Sequence, residues 1–527
     1  MGIDPWVAGS MAALAPLIAM LSALINPLFS RLSKKPWRTS FIFSEVILLI
    51  NAYLTFTVAY YVFEKGDVLV YMFSGFPPPI GIAYEIDRLN SFVGLLIGLI
   101  FPVINITSYR YLGEVVRRSE WYYTLLLGLE AGLLGIVYTS DLFNLFVMLS
   151  LTCIVAYAYT AYPRKHGGSP DTVIKYGLIG TVGLVMYFIA VILLYSGLGT
   201  LSMADIASKT LGLNIFHTMG IAIDTKSVLT LFLALAIWAI MIEAAIFPHH
   251  FWLPDTYSSM PLVVTALMAG VVEAVYAYVM IRLIYTVVGL EYSRTILYIL
   301  LILGSLNIVV GGYLTAIAKD IRRLIAYTTI LDMGYIVIGI GIGSTLGLSA
   351  TLYYILCHAI VKPLLFISIT PLEMAGLTSV ERVAGVARKE PFIGLGLIVG
   401  GLSVIGIPPF NIFFARLRLF QAVLEARLYP VVPVLILGSI LALVGFKRLW
   451  LSMYRSMDRD VEHRIKALPE TIFTISLLVV ATVVSGILFT MLETHLLNPI
   501  SAYMLSGDGR RMYVEKAYEL FKLIYSR

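Results

Sequence analysis

Apolar stretches bounded by charged residues recur along the chain near residues 7–30, 41–63, 89–108, 122–139, 141–162, 173–197 and 227–247. They continue near 258–285, 295–317, 324–343, 348–370, 392–425, 429–454 and 470–492. About 20 apolar residues in a helix cross the hydrocarbon of a bilayer, and a backbone in lipid must satisfy its hydrogen bonds within the segment. The pattern predicts an all-α, polytopic membrane protein with about 14 transmembrane helices. Two of the stretches are interrupted by proline, which removes a backbone donor and crowds the preceding turn. The seventh reads LALAIWAIMIEAAIFPHHFWLPD, with Pro248 and Pro254 around a polar turn; the twelfth reads GGLSVIGIPPFNIFFARLRLF, with Pro408 and Pro409 at its centre. The interruptions lie five helices apart. An odd shift inverts orientation, so spans 4–8 and 9–13 are expected to form two inverted five-helix repeats, with broken helices 7 and 12 pointing to an ion site near the midplane. Two merely kinked helices are the plainer alternative. The expected organisation is a three-helix segment with an outside hairpin (1–121), a first repeat (122–285), a second repeat (295–455), and a last span with a C-terminal surface helix (456–527).

Loop charge tests the count, because short cytoplasmic loops are rich in Lys and Arg. Basic residues gather at Arg31, Lys34, Lys35 and Arg38, at Arg110, Arg117 and Arg118, and at Arg164 and Lys165. They gather again at Lys319, Arg322 and Arg323, at Arg388 and Lys389, and at Arg455, Arg459, Arg464 and Lys466. These are alternate loops throughout, which places them inside and both termini outside a cell membrane. The segment 64–88, with Glu64, Asp67, Glu85 and Asp87, reads as an outside turn or hairpin. The start, Met1 to Trp6, has no basic n-region, and the first span reads as a retained helix rather than a signal peptide. In the tail, RRMYVEKAYELFKLIYSR has the Tyr and Leu spacing of an amphipathic surface helix.

Composition agrees: 59% of the 527 residues are hydrophobic, 13% are charged, and the mean hydropathy is +0.91. A soluble enzyme carries about 25% charged residues. The net charge of +6 belongs to positive-inside loops and implies the lipid bilayer as a partner, not nucleic acid. Cys153 and Cys357 both lie in apolar stretches, as packing residues. There is no P-loop, no GxGxxG after a strand, no HExxH and no haem or iron–sulfur ligand set, so no cofactor, metal, redox or hydrolytic site is expected in this chain. Electron transfer, if any, lies in another chain.

A charge at the bilayer centre costs at least about 2.5–3.5 kcal/mol on insertion scales, so ionisable residues inside spans are functional candidates by default. They are Glu130 in span 4, Glu243 with His249 and His250 at the first break, and Glu273 in span 8. Asp332 in span 10, His358 and Lys362 in span 11, and Arg416 after the second break complete the set. Such a chain of Glu, His, Asp and Lys on adjacent helices is what a proton relay needs. Each has a structural alternative: a salt bridge for Glu243 and Glu273, a bond to neighbouring backbone for Glu130, capping of the broken helix for His249 and His250. His358 and Lys362, four residues apart, share a helix face, although Lys362 can also snorkel. Arg416 stays charged and can tune neighbours but hardly carry protons. Asp141 suits a helix N-cap, and Lys319, Asp320, Arg322 and Arg323 suit a solvated loop.

FPHHFWLPDTYSSMPLVVTALMAGVVEAVYAYVMIRL, AIAKDIRRLIAYTTILDMGYIVIGIGIGS and HAIVKPLLF resemble the core of the antiporter-like subunits shared by respiratory complex I, Mrp-type cation/proton antiporters and membrane-bound hydrogenases. FSGFPPPIGIAYEIDRLNSF and SDLFNLFVMLS resemble the Mrp and hydrogenase (or sulfur-reductase) branch. The resemblance covers roughly residues 65–455. It implies fourteen spans, two inverted repeats, and half-channels joined by a polar axis in the mid-membrane plane. It also implies partners: homologous antiporter-like and small helical membrane subunits and a peripheral redox arm. Key positions depart from the family pattern. Ser150 stands where a span-5 glutamate is usual, Glu243 and Glu273 where lysines are usual, Asp332 where Ser or His is usual, and Arg416 where a lysine is usual. Glu130 compensates for Ser150 only if it faces the same interior. Three readings follow: a subunit that moves protons, sodium or both; a mainly structural spacer that no longer pumps in its first half; and a stand-alone secondary transporter.

Overall fold

The computed structural model describes residues 4–115, 119–162, 170–221, 224–455 and 465–525. Arg117, Arg118, Arg164, Lys165, Arg459 and Arg464 lie outside the described residues. The first half contains α1 (Pro5–Arg31), α2 (Pro36–Lys65), α3 (Arg88–Val115), α4 (Ser119–Tyr138), α5 (Leu142–Thr160), α6 (Pro170–Leu198), the short α7 (Met203–Thr210) and α8 (Thr225–Glu243). Next come the half-helix α9 (Leu253–Ser259), then α10 (Leu262–Val288), α11 (Leu290–Ile317), α12 (Ile321–Ile342) and α13 (Thr345–Ser368). The chain continues with α14 (Pro391–Ile405), α15 (Asn411–Glu425), α16 (Val432–Met453), α17 (Pro469–Ile487), α18 (Asn498–Leu505) and α19 (Gly507–Tyr525).

Thirteen helices among the described residues are long and apolar enough to cross a membrane. The twelfth predicted span arrives as two 15-residue halves, α14 and α15. Together they account for the crossings read from the sequence. Both predicted breaks are present: α8 ends at Glu243 and resumes as α9, and α14 ends on Gly406, whose φ of +84° needs no Cβ. At the first break, Asn307 of α11 accepts from the Phe247 amide at 2.9 Å and donates to the Ile330 carbonyl at 2.7 Å. At the second, Asn411 accepts from Ser403 at 2.6 Å and donates to Ser485 at 3.0 Å. An interrupted helix frees backbone groups, and in lipid each needs a protein partner.

Helix α10 is buried along its whole window, and α12 and α13 nearly so, whereas only a third of the windows of α6 and α16 is buried. The charged candidates cluster on the three central helices and their neighbours. The predicted hairpin is β1 (Leu69–Met72) paired antiparallel with β2 (Ala83–Ile86), Leu69 opposite Ile86. On that face α19 lies over the protein, burying Tyr513, Val514 and Ala517, with Tyr518 and Phe521 against Phe216. Asp141 is the N-cap of α5, accepting from the Asn144 amide at 2.7 Å, as its position suggests.

In the 319–323 segment Lys319 and Arg323 are exposed, as the solvated-loop reading expects, and Arg322 departs from it. Asp320 caps α12, accepting from the Arg322 and Arg323 amides. Arg322 pairs with Glu373 at 3.0 Å with only 13% and 4% of their side chains exposed, and Arg323 pairs with Asp255 at 2.8 Å. The physical reason is the half-helix α9, which packs against α12 and brings the Ser258 carbonyl to Arg322 and Asp255 to Arg323.

Candidate functional site: a polar axis through the broken helices

Asp332, in the middle of α12, is fully buried and takes its partners from α13 and α15. Lys362 of α13 approaches Oδ2 at 2.6 Å, the Tyr354 hydroxyl donates to Oδ1 at 2.6 Å, and Arg416 Nη2 lies 3.4 Å from Oδ1. Lys362 also donates to Thr328 at 2.7 Å. Arg416, one turn into α15, donates to the Ile405 carbonyl at 2.8 Å, and so caps the broken end of α14. It donates to Ser439 at 2.7 Å and stacks 4.1 Å from the Tyr335 ring. Two cations around one carboxylate, each with further hydrogen-bond partners, is the kind of arrangement a buried ion cluster requires.

His358 links this cluster to the first half. Its Nε2 lies 2.7 Å from the Ala269 carbonyl, which can only accept, so Nε2 carries a proton. Nδ1 faces Asp332 Oδ2 at 3.7 Å and is the atom open to a second proton. Ala269 sits in a π-helical turn of α10, Met268–Val272, directly before Glu273. Such turns open the backbone ladder and are frequent at functional sites. Glu273 Oε1 accepts from Tyr257 of α9 at 3.0 Å, and Oε2 has no protein partner.

One turn along α10, the Tyr276 hydroxyl lies 3.8 Å from the Cys153 sulfur, and Cys153 faces Glu243. Glu243 is 2% exposed, yet neither carboxylate oxygen finds a hydrogen bond of ordinary geometry, nor do the Tyr157 and Tyr176 hydroxyls nearby. Buried polar groups are normally bonded to protein or ordered water, so a cluster of unpartnered ones marks a place suited to water or an ion. Neither Glu243 nor Glu273 belongs to an ion pair of the described residues. Helix α6 packs over Glu243 and has glycine at two of the contacts. A Cβ at Gly180 would overlap the Tyr157 hydroxyl and stand 3.0 Å from Glu243 Oε1; one at Gly183 would stand 3.3 Å from the same oxygen. Gly180→Ala is therefore expected to lower stability by about 1–3 kcal/mol through overpacking. Thermal unfolding of the purified protein reads it, and an unchanged midpoint would show that Tyr157 moves aside freely.

Of the candidates, Glu243, Glu273, Asp332, His358, Lys362 and Arg416 thus lie buried on the broken helices and the helices packed between them. Three do not. Glu130 turns to α2, accepting from Asn51 at 2.8 Å, and so does not share an interior with Glu243. Ser150 donates to the Phe146 carbonyl of its own helix at 2.8 Å. His249 and His250 are half-buried at the break, packed on Trp238 and Phe247, with no hydrogen bond to the carboxylates. Sequence reasoning misses Cys153 and the tyrosines, which read as apolar packing. It also misses Glu45 of α2, Arg282 of α10, and the burial of Glu85 and Asp87.

The transmembrane family model described as NADH:quinone oxidoreductase/Mrp antiporter matches residues 139–442. NADH-quinone oxidoreductase subunit N of Desulforudis audaxviator is 34% identical over 389 residues, 73% of this chain and 75% of that protein. A chain of the membrane-bound sulfane sulfur reductase, an archaeal respiratory membrane complex, superposes with a TM-score of 0.86 at 27% identity, covering 96% of this chain and 99% of that one. A chain of the Mrp complex from a Dietzia species gives a TM-score of 0.83 at 21% identity over 96% and 99% of the two chains, a likeness of fold. The match runs from the start of α5 into α16 and takes in both broken helices, so this multi-pass membrane chain belongs to the NADH:quinone oxidoreductase/Mrp antiporter transmembrane family.

Proposed function

We propose that the protein moves protons, sodium ions or both as an antiporter-like subunit of a membrane-bound respiratory oxidoreductase complex, most akin to a sulfur reductase or hydrogenase with an Mrp-like membrane arm. The observation that carries it is the set Glu243, Glu273, His358, Asp332, Lys362 and Arg416 on the interrupted helices and the helices packed between them, each buried. In this reading the two glutamates exchange ions with water in the first half. His358 passes a proton between the halves at Nδ1, and Asp332 is held between Lys362 and Arg416 as the charge the moving ion works against. The basic loops face the cytoplasm by the positive-inside rule, which puts the hairpin, α19 and both termini outside. The partners are homologous antiporter-like and small helical subunits and a peripheral redox arm that supplies the driving reaction. Domain limits at 122–285 and 295–455 follow the inverted repeat.

The spacer reading is favoured by Ser150, whose hydroxyl is turned to its own helix, and by the lack of a cation paired with the first-half acids. Against it, acids occupy the positions where a decaying site would drift to Leu or Ala. The test is ion movement by the whole complex in vesicles, driven by its own redox reaction. Glu243→Gln is expected to reduce movement by roughly 10²-fold, the low end of what a positioned proton carrier contributes. Undiminished movement with normal assembly would establish the spacer reading instead.

A further inference from the structure

The polar groups of the N-terminal unit form a second column, off the axis. On α2, Ser44 and Glu45 lie nearer the basic face, and Asn51 lies deeper; on α3 stand Asn105 and Ser108; on α4, Tyr123 and, two turns deeper, Glu130. Ser108 bonds Tyr123 at 3.2 Å and Asn105 at 3.0 Å. Asn105 donates to Glu45 at 2.8 Å and reaches Ser44 at 3.4 Å. Above them Asn51 Nδ2 donates to Glu130 Oε2 at 2.8 Å.

Two atoms of that last pair lack any partner: Glu130 Oε1 and Asn51 Oδ1, both on residues with no solvent exposure. A carboxylate and a carboxamide joined by one N–H bond present two bare acceptors. A single proton on Oε1 gives Oδ1 a donor and satisfies both, closing the cyclic acid–amide pair. An ionised Glu130 would leave both acceptors empty and a charge with no counter-ion. Of the helices packed on α4, α1 and α5 carry no charged residue inside the span, and α3 keeps Arg88 and Arg110 near its ends. Helix α10 commits Glu273 to Tyr257 and Arg282 to Asp87, and α2 offers Glu45, of the same sign. Beyond Glu130, α4 continues toward the hairpin face with Leu133, Leu134 and Val137, all without exposure. Along α4, Leu126, Leu127, Leu133 and Leu134 flank Glu130 on both sides, and the hydrogen-bonded group of Glu45, Asn105, Ser108 and Tyr123 lies on its basic side.

We propose that Glu130 and Asn51 form a second proton-binding site, loaded from the basic face through Glu45 and the Asn105–Ser108–Tyr123 group, and separate from the Glu243 axis. The site holds one exchangeable proton that the first-half glutamates do not share, because Glu130 faces α2 while Glu243 faces Cys153 and α6.

Infrared spectroscopy of the intact complex in lipid nanodiscs tests it. A protonated-carboxyl C=O band is expected that Glu130→Gln, nearly isosteric, removes and that Asn51→Leu shifts to higher frequency as the hydrogen bonds are lost. The band is expected to shift on transfer to D2O, and Glu45→Gln to slow that exchange by roughly 10²-fold, as loss of a positioned proton carrier does. No band lost in Glu130→Gln means that the carboxyl is ionised, and the proposal fails. A band that never exchanges, or exchanges as fast without Glu45, overturns the loading route and with it the proposal. Ion movement by Glu243→Gln is a separate readout, so failure of the axis leaves this test intact.

Discussion

Asp332→Leu is expected to destabilise the assembled protein by about 3–5 kcal/mol, the range measured when one partner of a buried ion pair is removed. The substitution strands Lys362, with no exposure, and Arg416, with 4%, in a site of low dielectric. Lys362 keeps only Thr328, and Arg416 keeps Ser439, the Ile405 carbonyl and the Tyr335 ring. Removing the lysine in the same chain separates the two causes. Asp332→Leu/Lys362→Leu withdraws opposite charges together, and such replacements are often neutral or stabilising. The double variant should recover much of the lost stability, while ion movement stays abolished because the charge that His358 faces has gone. Denaturant unfolding of the complex, with vesicle transport alongside, reads both. Equal stability of Asp332→Leu and the parent would mean that Asp332 is not the counter-charge of this cluster.

The residues of that cluster are legible in the sequence because a charge inside an apolar run has no other cheap explanation. The prolines of the two breaks are legible for the same reason. What one chain cannot show is which neighbour a helix face meets. Glu130 occupies an apolar run as plainly as Glu243, yet its partner is Asn51 on a helix far back in the chain. Tyr157, Tyr176, Tyr257 and Tyr354 count as aromatic packing by pattern, and only their hydroxyls join the axis. Arg282 falls near the end of its span, where a long side chain ordinarily snorkels, and Glu45 falls near the start of its own. Glu85 and Asp87 belong to a hairpin, which by default is wet. Burial comes to them from α19, at the other end of the sequence, and no local pattern announces that.

That covered hairpin is a place where pH should act on stability. Arg282 holds Asp87 through two bonds, 2.7 Å and 2.8 Å, with 2% and 1% of their side chains exposed, and lies over the Tyr278 and Tyr513 rings. Both lobes of the guanidinium are thereby committed, and Glu85, two residues before Asp87, is left without a hydrogen-bond partner of ordinary geometry. Burial pushes its carboxyl from 4.5 up to about 8, only partly offset by Tyr513, Ser140 and Arg282. The folded protein therefore binds a proton that the unfolded chain has released. A folded-state value above the unfolded one means stability that is complete below about 4.5 and declines as pH rises toward about 8, above which it levels. Glu85→Gln should remove this decline, so its thermal midpoint and that of the parent converge in acid and diverge in alkali, the variant being the more stable. Parallel curves would show that Glu85 reaches solvent in the folded state. Asp87→Ala should be worse at every pH, by about 3–5 kcal/mol, since it strands Arg282. Arg282 is two and a half turns beyond Glu273 on α10, within its second π-helical segment, Arg282–Val288. The lock thus fixes the rotation of the helix that aims Glu273 at Tyr257, and Asp87→Ala should weaken ion movement in the fraction that remains folded.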